Sequence, residues 1–566
     1  MKLLGKAEDP NFWSDTVRNT KEYEVYRTQL NKQWEQGGYA ERNFEALGYS
    51  DFKLYWATGN RNIYESKYFA RRTALEVTVP LALIYPEEEK YIERIMDWVY
   101  IICDEYTWCL PAHQGQLDPL NECRIDLFAA ETAFNLAIIH RLLYGRLDPL
   151  IRARIEREIS RRVIEPFLAT ECYGWWETGH SNWTAVCAGN VGCATMLMRP
   201  ELMTDELIGR LDKSMLSYLD GFKDDGVCLE GCGYWAYGVS YFVQYADMIR
   251  TFTGGRVDYF KHPRLPAIAT FPQKMFLSDT ASVSFADGGR TLNYSIGVTH
   301  RLKDEYPSDV LVYSPEYATY SIGCGRLAVR IHSASWLNPE YYNNPADSTT
   351  AFETYAEDSQ WYVRRTAAYG FAAKAGHNDE LHNHNDVGSF IFAKAGKQLL
   401  ADLGSGTYTR QYFDAFTRYY IVECAAFGHS LPIINGAFQS AGRSFAASDV
   451  SYADGCFSMD IAGAYECKGL RSLRRSFRTT ETSVTLTDEI DYTGRGYVVE
   501  RIVSVTPPEL LSPDTVRIGE ATVRFDPVSC SLAINETNGT KNNNEKIYFL
   551  DFTLKKGVRL FTLTVE

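Results

Sequence analysis

Ten histidines occur in the chain, and three of them fall within eight residues of one another. They lie in His377-Asn-Asp-Glu-Leu-His382-Asn-His384-Asn-Asp386-Val-Gly-Ser-Phe. On a strand, alternate side chains share a face, so His382, His384 and Asp386 would converge as two imidazoles and a carboxylate. Imidazole nitrogen and carboxylate oxygen suit Zn²⁺ or a similar divalent ion, usually completed by residues distant in sequence. Downstream candidates are Asp402, in Ala-Asp-Leu-Gly-Ser-Gly, and His429, in Phe-Gly-His-Ser-Leu-Pro. The competing reading is a polar turn whose histidines hydrogen-bond to backbone. Clustering of titratable groups this dense favours function.

A second cluster is Trp175-Trp176-Glu-Thr-Gly-His180-Ser-Asn182-Trp183, placed just before an apolar, small-residue run. Asn182 at a helix start reads first as a cap, and a side-chain amide there can also donate to an anionic group. A third cluster runs Asp224-Asp225-Gly226-Val-Cys-Leu-Glu230-Gly-Cys-Gly-Tyr234-Trp235-Ala-Tyr237-Gly238-Val-Ser-Tyr241. If its aromatic part is helical, Tyr234, Tyr237 and Tyr241 share a face. Such a stripe is usually core, but Glu230 and the glycines beside it favour a cleft lining. The chain has no Walker A loop, no GxSxG elbow, no HExxH and no dinucleotide-binding glycine motif.

The elements that must carry these clusters change character along the chain. Before about residue 345 the periodicity is helical. Asp148-Pro149 pairs a cap with proline at the first helical position, and Ile151, Ile155, Ile159 and Val163 follow at four-residue spacing. Glu87 to Glu89 open a helix whose apolar face is Ile92, Ile95, Met96 and Val99, and others run from Asp126 to Leu142 and from Leu207 to Tyr218. Helices joined by short loops predict a stack of helical hairpins. After that point short β-branched and aromatic runs alternate with Gly, Asn, Asp and Pro. Examples are Trp361 to Val363, Ser389 to Phe392, Ser483 to Thr487, Tyr497 to Val505 and Val558 to Val565, with an Asn-rich turn at Asn535 to Asn544. That is a β-sandwich pattern. Asn338 to Thr350 is the candidate linker, giving a helical domain at 1–345 and a β-domain carrying the histidine cluster at 346–566.

Taken together, Ser181-Asn182-Trp183-Thr-Ala-Val-Cys, Asp225-Gly226…Glu230-Gly-Cys-Gly-Tyr234-Trp235 and His382-Asn-His384-Asn-Asp386-Val-Gly-Ser-Phe resemble motifs of the heparinase II/III-like polysaccharide lyases. So do Asp402-Leu-Gly-Ser-Gly-Thr-Tyr408-Thr-Arg410 and Gly428-His429-Ser-Leu-Pro. The resemblance implies an α+β multidomain fold, an N-terminal incomplete α/α toroid followed by a C-terminal antiparallel β-sandwich. It implies β-elimination on 4-O-linked uronic-acid glycans, leaving a C4=C5 double bond. Such chemistry needs donors for the developing carboxylate dianion, a base for the C5 proton and an acid for the leaving oxygen. Mapped by motif, Asn182 neutralises the carboxylate, Tyr234 is the catalytic tyrosine and His382 the partner base. His384, Asp402 and His429 correspond to structural Zn²⁺ ligands, and no organic cofactor is implied. His180, Glu230, Tyr237, Arg410 and Trp183 are further candidates, with Tyr237 an alternative acid and Ser181 standing where many relatives have a second Asn.

The composition excludes other classes. In 566 residues, 58 basic against 72 acidic side chains give a net charge of −14, which argues against a nucleic-acid or membrane-surface binder. An acidic oligosaccharide or polysaccharide remains compatible, because the field within a cleft outweighs net charge. Thirteen cysteines without close CxxC pairing read as reduced thiols. With no signal-like start, they predict a cytoplasmic protein acting exo on imported oligosaccharides. An oligomer is compatible with everything above. Two alternatives belong to other classes: a glycoside hydrolase using Asp225 and Glu230, and a non-catalytic uronate-glycan binder.

Overall fold

The computed structural model describes residues 1–118, 121–541 and 545–566. They form two compact units. The first comprises residues 1–222, 235–269 and 294–346, and the second residues 223–234, 270–293 and 347–566. Two segments of the stretch expected to be helical, 223–234 and 270–293, thus belong with the sheets. Their contacts explain it. Asp225 accepts hydrogen bonds from Ser359 N and Oγ, and the short strand Phe276–Ser278 packs on strand Gly370–Lys374.

The first unit is helical, with local signals that hold as expected. Asp148 caps helix Pro149–Ile159 by accepting from Leu150 N, and Asp126 caps helix Leu127–Leu143 through Ala129 N. Helix Asp205–Asp220 is capped by Thr204. Each cap satisfies an amide that has no intrahelical partner, at about 1 kcal/mol. Successive helices pack as neighbours: Asn62–Ile84 on Glu89–Asp104, Leu127–Leu143 on Asn182–Met198, and Asn182–Met198 on Asp205–Asp220. The late helix Leu327–Ser335 returns to pack on Asn62–Ile84. This is the incomplete α/α toroid. No helix among the described residues is long and apolar enough to cross a membrane.

The second unit is built from antiparallel sheets. One five-stranded sheet joins Lys397–Leu400, Phe390–Lys394, Gly370–Lys374, Trp361–Arg365 and Phe352–Ala356 in that order. A four-stranded sheet centres on Val498–Ser504 and Lys546–Leu554, and an eight-stranded sheet on Val484–Tyr492 and Leu560–Val565. The Asn-rich turn expected at Asn535 to Asn544 begins as strand, since Cys530–Asn538 pairs with Lys546–Leu554; residues 542–544 lie outside the described residues. The sheets close over an aromatic and aliphatic core that includes Phe371, Phe390, Phe477, Ile502 and Leu563.

Buried in this core is Arg475. Asp488 takes its Nε and Nη2, while its Nη1 donates to Gly388 O and Ser430 O at 2.9 and 2.8 Å. One guanidinium thereby ties the end of the histidine loop to the residue after His429.

Candidate active site and metal centre

The histidine cluster does not lie on a strand. Residues 379–389 form a loop between the two-residue strand His377–Asn378 and strand Phe390–Lys394. The expected alternation therefore fails, and Asp386 turns away from the imidazoles to pair with the buried Lys374 ammonium at 2.6 Å. The carboxylate that meets both imidazoles is Asp287, ninety-five residues upstream of His382.

Asp287 accepts from five groups. His382 Nδ1 (2.5 Å) and the Tyr408 hydroxyl (2.9 Å) reach Oδ2. His384 Nε2 (3.1 Å), Arg418 Nη2 (3.3 Å) and the Tyr412 hydroxyl reach Oδ1. Burial alone would raise the Asp287 carboxyl; the hydrogen bonds from His382 and His384 outweigh it and hold the group well below the usual carboxylate range. A carboxylate can only accept, so His382 carries a hydrogen on Nδ1, which leaves Nε2 as the ring's outward nitrogen. Glu230 Oε2 lies 3.4 Å from that Nε2, in place to accept a proton once one arrives.

Arg418 is a clamp on the histidine loop. It donates to Asn383 O, His382 O and Tyr412 O as well as Asp287. His382, whose carbonyl takes one of these bonds, lies in the left-handed region (φ 55°), a conformation that costs a non-glycine residue about 1 kcal/mol or more. Arg410 is exposed on its loop.

Tyr234 lies in the first turn of helix Cys232–Phe252, which confirms the helical reading of the aromatic stripe. Its ring centroid is 4.2 Å from that of His382, and its hydroxyl is 2.8 Å from the Tyr408 hydroxyl. Tyr237 is differently placed. Its hydroxyl donates to Glu131, the Arg326 guanidinium sits 3.8 Å over its ring, and burial pushes its phenol up. Tyr237 thus faces Glu131, whereas Tyr234 faces His382 and Tyr408. Asp225 is likewise engaged, capping its own turn through Val227 N besides holding Ser359.

His384, Asp402 and His429, the ligands the resemblance implied, lie together. Ligating atoms of His384, Asp402 and His429 all lie within 4.8 Å of one another, and all three residues are buried. Their hydrogen bonds test the fit. His384 gives Nε2–H to Asp287, and its buried Nδ1 has no hydrogen-bond partner. His429 Nε2 donates to Glu423 O at 3.0 Å, so its Nδ1 is bare, yet it faces Asp402 Oδ2 at 3.1 Å. A cation between them, either a proton on Nδ1 or a metal ion, would satisfy both atoms. Two bare Nδ1 atoms and one carboxylate are a donor set that suits Zn²⁺, each imidazole oriented by an outer acceptor.

Glycine makes this packing possible. A Cβ on Gly404 (φ 63°) would stand 2.1 Å from Gly288 O, and one on Gly428 would stand 1.7 Å from Val422 O. The Asp402 loop thus lies against the Asp287 turn, where Ser284 Oγ donates to Asp402 O and Ser405 N to Gly288 O.

The remaining candidates lie in the helical unit. Asn182 is buried and is the first residue of helix Asn182–Met198, with Ser181, not Asn182, at the cap position. Gly238 packs on it, so that a Cβ there would touch Asn182 Cβ at 3.1 Å. His180 is exposed and donates Nδ1–H to Ser217 O. Trp183 packs against His113 and Trp175, with centroids 4.8 and 5.2 Å apart, at the wall of a cavity of about 690 Å³. Trp175 is 61% exposed at that wall.

Sequence reasoning missed Asp287, Tyr408 and Tyr412. Asp287 stands in Phe285-Ala-Asp-Gly-Gly, a plain turn motif, and nothing in it announces a hub. Tyr408 stood within reach, inside the quoted Asp402 motif, and Tyr412 lies two residues past its end.

No protein-family model matches the chain, and no curated protein does. Solved structures do, by fold. Heparinase III matches with a TM-score of 0.60 at 12% identity, over 98% of this chain and 93% of that one. Heparan sulfate lyase HepC from Pedobacter heparinus matches with a TM-score of 0.58 at 13% identity, over 99% and 86%. The Streptomyces coelicolor A3 chondroitin AC lyase, in complex with chondroitin sulphate, matches at 0.54 and 10%, over 96% and 82%. The chain has the toroid-plus-sandwich fold of these polysaccharide lyases.

Proposed function

We propose that the protein is a polysaccharide lyase that cleaves 4-O-linked, glycosaminoglycan-like uronic-acid glycans by β-elimination. The single observation that carries this reading is the pairing of Tyr234 with His382: a phenol and an imidazole with ring centroids 4.2 Å apart, the imidazole held by Asp287 at Nδ1 and facing Glu230 at Nε2. In this reading His382 Nε2 takes the C5 proton, with Glu230 accepting from the imidazolium, and Tyr234 protonates the departing O4. Asn182 neutralises the uronate carboxylate, supported by its place at the start of a 17-residue helix, where the amide dipoles favour negative charge. The fold neighbours that act on heparan sulfate and chondroitin support the substrate class.

Zinc at His384, Asp402 and His429 is proposed as structural. It would fix the loop that carries His382, two residues from a ligand. The protein is further proposed to act exo, on oligosaccharides, within the cytoplasm.

The hydrolase alternative needs Asp225 as one of two working carboxylates, and its hydrogen bonds to Ser359 and Val227 weigh against that. The deciding experiment offers the purified protein heparan sulfate, chondroitin, hyaluronan and alginate, each as polymer and as sized oligosaccharides. An ultraviolet-absorbing product from at least one supports the proposal. Exo action requires a single product size and a slow fall in viscosity; rapid loss of viscosity would replace it with endo action. Binding without any product would leave the glycan-binder reading.

A further inference from the structure

Tyr408 has one hydroxyl hydrogen and stands between two oxygens. Its Oη is 2.9 Å from Asp287 Oδ2 and 2.8 Å from Tyr234 Oη. Asp287 has no hydrogen to give, so Tyr408 must donate to it. The hydrogen between the two phenols then belongs to Tyr234. The Tyr408 ring is wedged by Tyr412 and Phe413, with centroids 4.9 Å away on each count. The oxygen is therefore fixed, while its hydrogen is free to turn about the C–O bond.

We propose that Tyr408 is a positioning residue for the elimination, a donor that turns from Asp287 to Tyr234 as Tyr234 gives up its proton. The inference rests on the lyase reading above. The step balances as follows. The C5–H bond breaks toward His382 Nε2, the electron pair left on C5 forms C4=C5, and the C4–O4 bond breaks with its pair on O4. Tyr234 supplies the hydrogen that O4 gains, and Tyr408 keeps its own hydrogen throughout. His382 then loses a proton to solvent, and the Tyr234 phenolate takes one up. Asp287 stays hydrogen-bonded when it releases Tyr408, because His382, His384, Tyr412 and Arg418 still donate to it. A phenolate in a partly buried site gains more from one fixed donor than the satisfied carboxylate loses.

This role is separable from a structural one by the leaving group. Tyr234→Phe and Tyr408→Phe are compared on heparan sulfate and chondroitin tetrasaccharides and on a 4-deoxy-4-fluoro-uronate glycoside, whose fluoride departs without a proton. On the tetrasaccharide that is cleaved, Tyr408→Phe lowers kcat about 10- to 100-fold with KM within twofold, the worth in rate of one charge-assisted hydrogen bond. On the fluoride both variants keep the wild-type rate. Equal loss on both substrates, or no loss on the tetrasaccharide, overturns the role of Tyr408. Full activity of Tyr234→Phe overturns the lyase assignment instead. A readout without turnover is the ¹⁹F resonance of 3-fluorotyrosine at position 234. It shifts on Tyr408→Phe and much less on Tyr412→Phe, which loses a donor on the other oxygen of Asp287. An unmoved resonance in Tyr408→Phe overturns the hydrogen bond on which the proposal stands.

Discussion

Replacing Asp287 by Asn tests the site at its hub. The amide keeps one acceptor oxygen and turns the other into a donor. If the new NH₂ faces His382 and Tyr408, two donors confront a donor; if it faces the other side, His384, Tyr412 and Arg418 do. Either way at least two hydrogen bonds fail and the Arg418 charge loses its anion. Each hydrogen bond to a charged group is worth about 1.5–3 kcal/mol, and breaking a buried ion pair from one side costs about 3–5 kcal/mol. The unit should lose stability within that range. Its kcat should fall about 10²- to 10⁴-fold, because the His382 tautomer is no longer fixed. Metal affinity should fall about 10- to 100-fold through His384. The pH dependence has a definite sign. The folded carboxyl lies well below its unfolded value of about 3.9. Its stabilisation is therefore complete above about pH 4 and is lost as pH falls through the folded value. The carboxylate's own part of the Asp287→Asn penalty should shrink below pH 4, as read by thermal melts. Asp386→Asn, which breaks only the pairing with Lys374, is the control. An Asp287→Asn protein with wild-type kcat and metal content would refute the reasoning.

Three further outcomes are expected. Arg475→Met leaves Asp488 and Glu500 buried without their cation, so denaturant melts should show a loss of about 3–5 kcal/mol. Elemental analysis should find one zinc per chain, lost in His429→Ala; at free zinc 100 times its Kd the metal should add about 2.7 kcal/mol, seen as a melting temperature that falls on chelation. Tyr237→Phe should cost about 1–3 kcal/mol by depriving Glu131 of a donor, yet retain elimination activity, whereas Tyr234→Phe should abolish it.

Much of this was legible in the sequence, for reasons that are local. Caps such as Asp126 and Asp148 act on amides two or three residues away, and hydrophobic periodicity reports which face is buried. The clustering of His384, Asp402 and His429 was legible because their residue types are rare and their chemistry narrow. The His382 loop was misread as strand because alternation of polar residues is only a pattern, and ion pairing decided otherwise. Lys374 pairs with Asp386, while His382 adopts a left-handed backbone conformation that no strand allows. Asp287 was hidden because its role comes from tertiary contact: five donors from residues 382 to 418 converge on a turn that by itself shows only Ala-Asp-Gly-Gly.

The most direct measurement of the central claim is the mass and ultraviolet spectrum of the products released from a uronate tetrasaccharide by the wild-type protein and by Tyr234→Phe. β-Elimination predicts fragments whose masses sum to that of the substrate, one of them absorbing through its C4=C5 bond, and no fragments from the variant. Fragments that sum to one water more, with no new absorbance, would contradict it.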